Sequence, residues 1–166
     1  EPVSLPLKNP AFLTFSLNQN QRSMSGLGIY KLNNKQDEWE FQDLQQKNFN
    51  KITVELSDLG AVTLLQDTIP PEMVNIFPSP SESYTSGEIH SIECILKDNL
   101  SGIEPTEETL KIILNKKKIF CAYQPVKRKL SYSFVNPLPP GDYTVFIFAQ
   151  DYAGNKMEKT IKFNVN

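Results

Sequence analysis

The residue types able to do chemistry in this chain are few and scattered. The single histidine, His90, stands four positions before Cys94, and the other cysteine is Cys121. On a strand a four-residue step spans about 13 Å, too far for two side chains to grip one zinc ion, which needs three or four convergent donors. His90 therefore reads as an exposed strand-edge residue. The carboxylates Glu104, Glu107 and Glu108 fall in a polar connection and read as solvated loop charges. Neither a Gly-x-Ser-x-Gly elbow, nor a phosphate loop, nor a His-Glu-x-x-His helix occurs, and no nucleophile can be matched to a base. The expectation is a chain with no catalytic residues. Asp67, Asp98 and Asp151 each occur at a turn or strand end, and oxygen ligands from such loops can assemble a calcium site. Aspartate also caps turns without any metal, so the expectation is no cofactor, with calcium on these three residues as the alternative.

Composition limits the remaining choices. With 166 residues, 39% hydrophobic, 22% charged and a net charge of -2, the chain is neither disordered, nor collagen-like, nor disulfide-dense, and is long enough for one domain or two small ones. A near-neutral charge gives no general reason to bind nucleic acid. The basic runs Lys116-Lys117-Lys118 and Lys127-Arg128-Lys129 flank an expected strand, Ile119 to Gln124, whose ends lie roughly 17 Å or more apart, so they form no single patch. No window reaches the roughly 18 to 20 apolar residues that cross a bilayer, and Glu1 to Pro10 lack a signal-peptide pattern. Beginning at Glu1, the chain reads as a mature or trimmed piece of a longer polypeptide.

The elements that must position these residues are strands. Apolar residues recur at every second position in short runs bounded by Asn, Gly, Pro or Ser, which predicts an all-β chain. Ala11 to Leu17, Leu27 to Leu32, Glu38 to Asp43, Ile52 to Asp58 and Ala61 to Gln66 are the first strands, with Asn18 to Ser25, Asn33 to Asp37 and Gln45 to Asn50 as loops. The adjacent prolines Pro70 and Pro71 remove two backbone donors and fix two φ values, so residues 67–71 read as a stiff linker between domains 1–66 and 72–166. The first domain is open to truncation at its N-terminus.

The second domain reads as seven strands: Met73 to Phe77, Glu88 to Lys97, Leu110 to Asn115, Ile119 to Gln124, Leu130 to Asn136, Asp142 to Asp151 and Met157 to Val165. That is the count of an immunoglobulin-like or fibronectin-like sandwich, and the chain as a whole reads as two small β-sandwiches in tandem. Alternation turns Ile92, Cys94 and Leu96 to one face, as it does Tyr143, Val145, Ile147 and Ala149, and Ile161, Phe163 and Val165. Leu138, Gly141 and Tyr143 resemble a tyrosine corner, in which the phenol bonds to backbone just upstream. Tyr143 is accordingly structural, as are Pro70, Pro71 and the turn glycines Gly102 and Gly154.

The linker, Asp98-Asn99-Leu100-Ser101-Gly102-Ile103, Leu138 to Tyr143, Asp151-Tyr152-Ala153-Gly154-Asn155 and the closing strand together resemble the bacterial immunoglobulin-like (Big-type) domains of cell-surface and secreted proteins. This likeness covers about residues 67–166. Residues 1–66, with Gly26 to Leu32, Trp39 to Asp43 and Leu59 to Leu65, are similar to the β-rich segment preceding such domains in bacterial surface metallopeptidases of the lysostaphin type. The resemblance implies an accessory region whose zinc chemistry lies in a separate upstream domain. The three aspartates likewise resemble the calcium-stiffened junctions of some bacterial tandem domains.

The antibody-like disulfide has no second cysteine on the strand that carries Tyr143, and the expectation is two buried, unbridged thiols. Phe146 and Phe148 alternate with inward Val145 and Ile147, so with Thr144 they face outward, and Trp39 raises the same question in the first domain. The conservative expectation is cover by the first domain or a long loop; the sharper one is a binding surface. The function expected is a non-catalytic extracytoplasmic module, periplasmic, surface-attached or secreted, that spaces, orients or helps a larger bacterial protein recognise its target. Its partners would be upstream domains of the same polypeptide and a cell-wall or surface glycan or protein. The alternative is an adhesin-like module binding through the aromatic face, with a hydrolase further off.

Overall fold

A computed structural model describes residues 5–33 and 35–166; residues 1–4, within the Glu1 to Pro10 stretch, and residue 34, within the expected loop Asn33 to Asp37, lie outside the described residues. Strand makes up 58% and helix 4% of the structure, so the chain is all-β, built from β-sandwiches with an immunoglobulin-like fold. It divides into two compact units. One holds the described residues through Ile69 together with Leu100–Gly102 and Tyr152–Asn155; the other holds Pro70–Asn99, Ile103–Asp151 and Lys156–Asn166.

The strands of the first unit are β1 (Leu5–Ser16), β2 (Leu27–Asn33), β3 (Glu38–Phe41), β4 (Gln46–Asn48), β5 (Lys51–Leu59) and β6 (Val62–Gln66), with one helical turn, α1 (Gln19–Arg22). They form two three-stranded sheets, in the orders β1-β5-β4 and β3-β2-β6. Ile52, Val54 and Leu56 point inward from one sheet and Leu27 and Ile29 from the other, closing a small core with Leu17. Three features depart from the expected elements. The strand expected from Ala11 starts at Leu5, and its pairing with β5 shifts between Pro6 and Ala11, where the prolines break the alternating pattern. The expected loop Asn18 to Ser25 contains α1, whose capping box joins the Asn18 side chain to the Gln21 N–H at 3.0 Å and the Gln21 side chain to the Asn18 N–H at 3.0 Å. The expected loop Gln45 to Asn50 contains β4, whose residues are all exposed and so show no apolar period.

The second unit has nine strands: β7 (Glu72–Phe77), β8 (Ser83–Tyr84), β9 (Ser91–Lys97), β10 (Leu110–Leu114), β11 (Lys117–Ile119), β12 (Ala122–Gln124), β13 (Lys129–Ser133), β14 (Gly141–Gln150) and β15 (Lys156–Val165). A five-stranded sheet, β11-β10-β14-β15-β8, lies over a four-stranded one, β12-β13-β9-β7. The inward rows are those alternation names: Ile92, Cys94 and Leu96; Tyr143, Val145, Ile147 and Ala149; Ile161, Phe163 and Val165. Full burial of one such aliphatic side chain stabilises by about 1.5–3 kcal/mol. The expected strand Ile119 to Gln124 is in fact two. Lys117–Ile119 pairs with β10 in one sheet, Ala122–Gln124 pairs with β13 in the other, and the chain crosses at Phe120 and Cys121. Apolar alternation continues through the crossing at Ile119, Cys121 and Tyr123, and therefore could not report it. The β10–β11 hairpin turns on Asn115 and Lys116, both at positive φ, the geometry of a two-residue loop matched to strand twist.

The tyrosine corner forms. The Tyr143 hydroxyl donates to the Pro139 carbonyl at 2.7 Å, and its ring stacks on Phe163 with centroids 5.3 Å apart. Gly141, at φ 150, starts the strand in a conformation that a side chain would oppose, and Leu138 is buried beneath. On paired strands β9 and β13, Lys129 forms an ion pair with Glu93. The Lys129 bond, followed by that of the Ser91 hydroxyl, holds the Glu93 carboxyl below its usual range.

Tyr143→Phe should lower unfolding free energy by about 1–2 kcal/mol in a denaturant titration, because the Pro139 carbonyl loses its donor; an unchanged midpoint would deny the corner a structural role. Glu93→Gln should cost about 0.5 kcal/mol at neutral pH, discounted for solvent exposure. Because the folded carboxyl is the stronger acid, its stabilisation is full above the unfolded pKa and disappears as pH falls through the folded one. Wild-type and variant melting curves should therefore converge in acid.

Candidate functional site

The polar convergence starts from the end of β6. Asp67, 2% exposed, follows Gln66 directly and is held from several sides. Its Oδ1 accepts from the Ile69 N–H at 3.0 Å and its Oδ2 from the Ser101 N–H at 2.9 Å. Its own N–H donates to the Gly26 carbonyl at 3.0 Å, and its carbonyl accepts from the Asn155 side chain at 3.2 Å. Gly26 is indispensable to this arrangement: at φ 68, a Cβ there would lie 1.9 Å from the Asp67 carbonyl oxygen.

Asp98 follows β9, and Asp151, 0% exposed, follows β14 opposite Ile103. Asp67, Asp98 and Asp151 supply three carboxylates, those of Asp67 and Asp151 on buried residues. This acidic triad could bind a metal. Ser101, which the sequence presents only within the Asp98-to-Ile103 stretch, stands beside Asp67 through its backbone N–H. Its hydroxyl is buried, the residue being 4% exposed, with no hydrogen-bond partner among the described residues. A donor set made of oxygens suits a hard cation and not a soft one.

The remaining candidates have other surroundings. His90 is exposed and precedes β9, whereas Cys94 is buried within it. Both cysteines are free, but Cys121 is only half-buried. Burial, with the Cys121 thiol adding to it, pushes the Cys94 thiol up to about 12, and burial raises Cys121 as well, so each is held as the unreactive thiol. Glu107 is exposed and pairs with Lys118 at 3.4 Å, and Glu104 accepts from the Gln150 side chain at 3.4 Å. Exposed Glu108 donates its backbone N–H to the Thr106 hydroxyl. Pro70 is exposed and Pro71 buried, while Gly102 and Gly154 adopt positive φ.

Phe146, Phe148 and Thr144 occupy the outward positions of β14 and are half-buried. Phe146 lies opposite Ile113, and Phe148 opposite Lys111, whose ammonium is 5.1 Å from the ring centroid. The cover on Phe148 thus comes from the neighbouring strand of its own sheet. Thr144 donates its N–H to the Asn115 side chain at 2.8 Å. Trp39 is half-buried on β3, opposite Leu32. Among the described residues no helix is long and apolar enough to cross a membrane.

No protein-family model and no curated protein matches the chain. Solved structures similar to it include CopC from Methylosinus trichosporium OB3b, at 20% identity and TM-score 0.47 over 58% of this chain and 93% of that one. PcoC, a methionine-rich copper resistance protein from Escherichia coli, is similar at 18% identity and TM-score 0.43 over 58% of this chain and 98% of that one. Sidekick-1 immunoglobulin domains 1–4 are similar at 12% identity and TM-score 0.29 over 98% of this chain and 50% of that one. Likenesses of this degree transfer no ligand or activity to the chain.

Gly26→Ala should destabilise the protein by at least about 2 kcal/mol in urea unfolding, since the added carbon meets backbone and the residue must hold a left-handed φ. A loss within a few tenths would mean that the Asp67 turn moves freely.

Proposed function

We propose that the chain is a non-catalytic, extracytoplasmic accessory module of a larger bacterial surface or secreted protein, with 1–66 and 72–166 as its domains and a calcium ion held by Asp67, Asp98 and Asp151. Its work is to space, orient or help target the parent protein, and its partners are the neighbouring domains and a surface glycan or protein. The observation that carries this reading is the burial of two carboxylate residues at strand ends, Asp67 and Asp151, with Asp98 as the third acid of the set. Burying a carboxylate is costly unless its charge is balanced, and a divalent cation supplies that balance while accepting the 6–8 oxygen ligands that calcium prefers. The buried Ser101 hydroxyl is a further oxygen beside Asp67. Extracellular modules bind calcium at about 10⁻⁴–10⁻³ M, which suits the proposed setting. The non-catalytic reading is supported by the histidine and the thiols, since His90 is exposed and Cys94 is held protonated inside the core.

Thermal melts in millimolar calcium and in chelator test the proposal. Calcium should raise the midpoint, with a stabilisation of about 0.4–1.4 kcal/mol when calcium stands one- to tenfold above its Kd, and Asp151→Asn should abolish the difference. Equal midpoints for the wild type would remove the calcium site. Turnover of a peptide or glycan substrate by the purified chain would remove the non-catalytic reading.

A further inference from the structure

The outer face of the sheet β1-β5-β4 carries an apolar patch that does nothing for the core. Leu13 and Phe15 of β1 and Ile52, Val54 and Leu56 of β5 pack inward, so alternation turns Phe12, Thr53, Glu55 and Ser57 to the other side. Phe12, opposite Glu55, is 73% exposed, and Leu44, in the connection before β4, is 94% exposed. Together with Pro10, Asp43, Gln46 and Glu55 they line a hollow of about 440 Å³.

Leu44 is not there by slackness. Its φ of 57 is left-handed, a region that a leucine enters only when its surroundings compel it. The compulsion comes from Gln45. That side chain accepts from the buried Ile29 N–H at 2.9 Å and donates to the Gln42 carbonyl at 2.6 Å, so residue 45 is pinned inward and residue 44 is turned out. A strained backbone that delivers a large apolar side chain into water costs folding energy twice. Such an arrangement at an exposed patch marks an interaction site.

The charges of the hollow name the partner. Among the described residues, Asp43 and Glu55 are its charged lining groups, and no lysine or arginine lines it. We propose that this hollow docks a cationic, apolar-bearing segment of another protein, one that places Lys or Arg beside a leucine- or phenylalanine-sized side chain. The ammonium or guanidinium groups meet Asp43 and Glu55, and the apolar side chain covers Phe12 and Leu44. A neutral glycan would leave the Asp43 and Glu55 carboxylates unmatched, which favours a cationic protein segment. This surface goes beyond the accessory reading and is independent of the calcium site.

The test is an NMR titration of the full chain with a synthetic heptapeptide alternating lysine with leucine and phenylalanine. Its glutamate counterpart and a fully deacetylated glucosamine hexamer serve as the other arms. The lysine peptide should shift amide signals around residues 10–12, 43–46 and 53–57, and the glutamate peptide should not. Leu44→Gly should weaken binding at least about tenfold, as loss of a central apolar anchor does, while leaving the melting midpoint unchanged or raised. Glu55→Gln should weaken it less and flatten its salt dependence. No shift with the lysine peptide, or equal shifts with both peptides, overturns the proposal. So does shift by the glucosamine hexamer alone, or concentration-dependent self-association in sedimentation that perturbs the same signals without any peptide.

Discussion

A strand shows its side chains alternately to two faces, and in each of these sheets only one face can be packed on apolar neighbours. That steric fact organises the second unit, where β14 runs between β10 and β15 and its Val145 and Ile147 share one core with the inward row of β9. Slipping β15 by one residue would carry Lys162 and Asn164 inward in place of Ile161 and Phe163, so the register admits little error. The Tyr143 corner acts on the same element from its start. By joining the hydroxyl to Pro139 it fixes where β14 begins, and hence which of its residues face the core.

With the interiors given over to hydrocarbon, the buried carboxylates are left to the places where strands stop. Asp67, Asp98 and Asp151 each follow a strand end, where the chain leaves the ladder and a short carboxylate can turn away from it. The Asp67 turn is built before any ligand is considered, because Gly26 lets two backbone segments approach more closely than any other residue would permit. A turn of this kind costs the fold little, since it uses residues at a strand end and leaves the core of its unit undisturbed.

The outward faces follow a different logic. On β14 the aromatic rings are tempered by neighbours on the same sheet, with Lys111 laid over Phe148. On the sheet β1-β5-β4 the apolar groups stand free, and Leu44 is held out by the anchoring of the residue after it. Exposed hydrophobic residues are common on proteins; one kept exposed by a left-handed backbone carries more information than its hydrophobicity alone.

What could be read from the residues alone is whatever depends on near neighbours. The all-β class, the inward rows of β9, β14 and β15, and the Tyr143 corner all follow from alternation or from spacing within a few positions, because the strand's two-residue period is a local steric property. The capping box at Asn18 and Gln21 was equally local, but it lay in a segment too polar to invite a helical reading. Other features required the folded chain. The passage of Phe120 and Cys121 from one sheet to the other, the parallel pairing of the two-residue β8 with β15, the bond from the Ser101 N–H to Asp67, and the outward turn of Leu44 each depend on which distant segment becomes a neighbour. Periodicity tells which way a side chain points relative to its own strand. Only long-range pairing decides what stands in front of it.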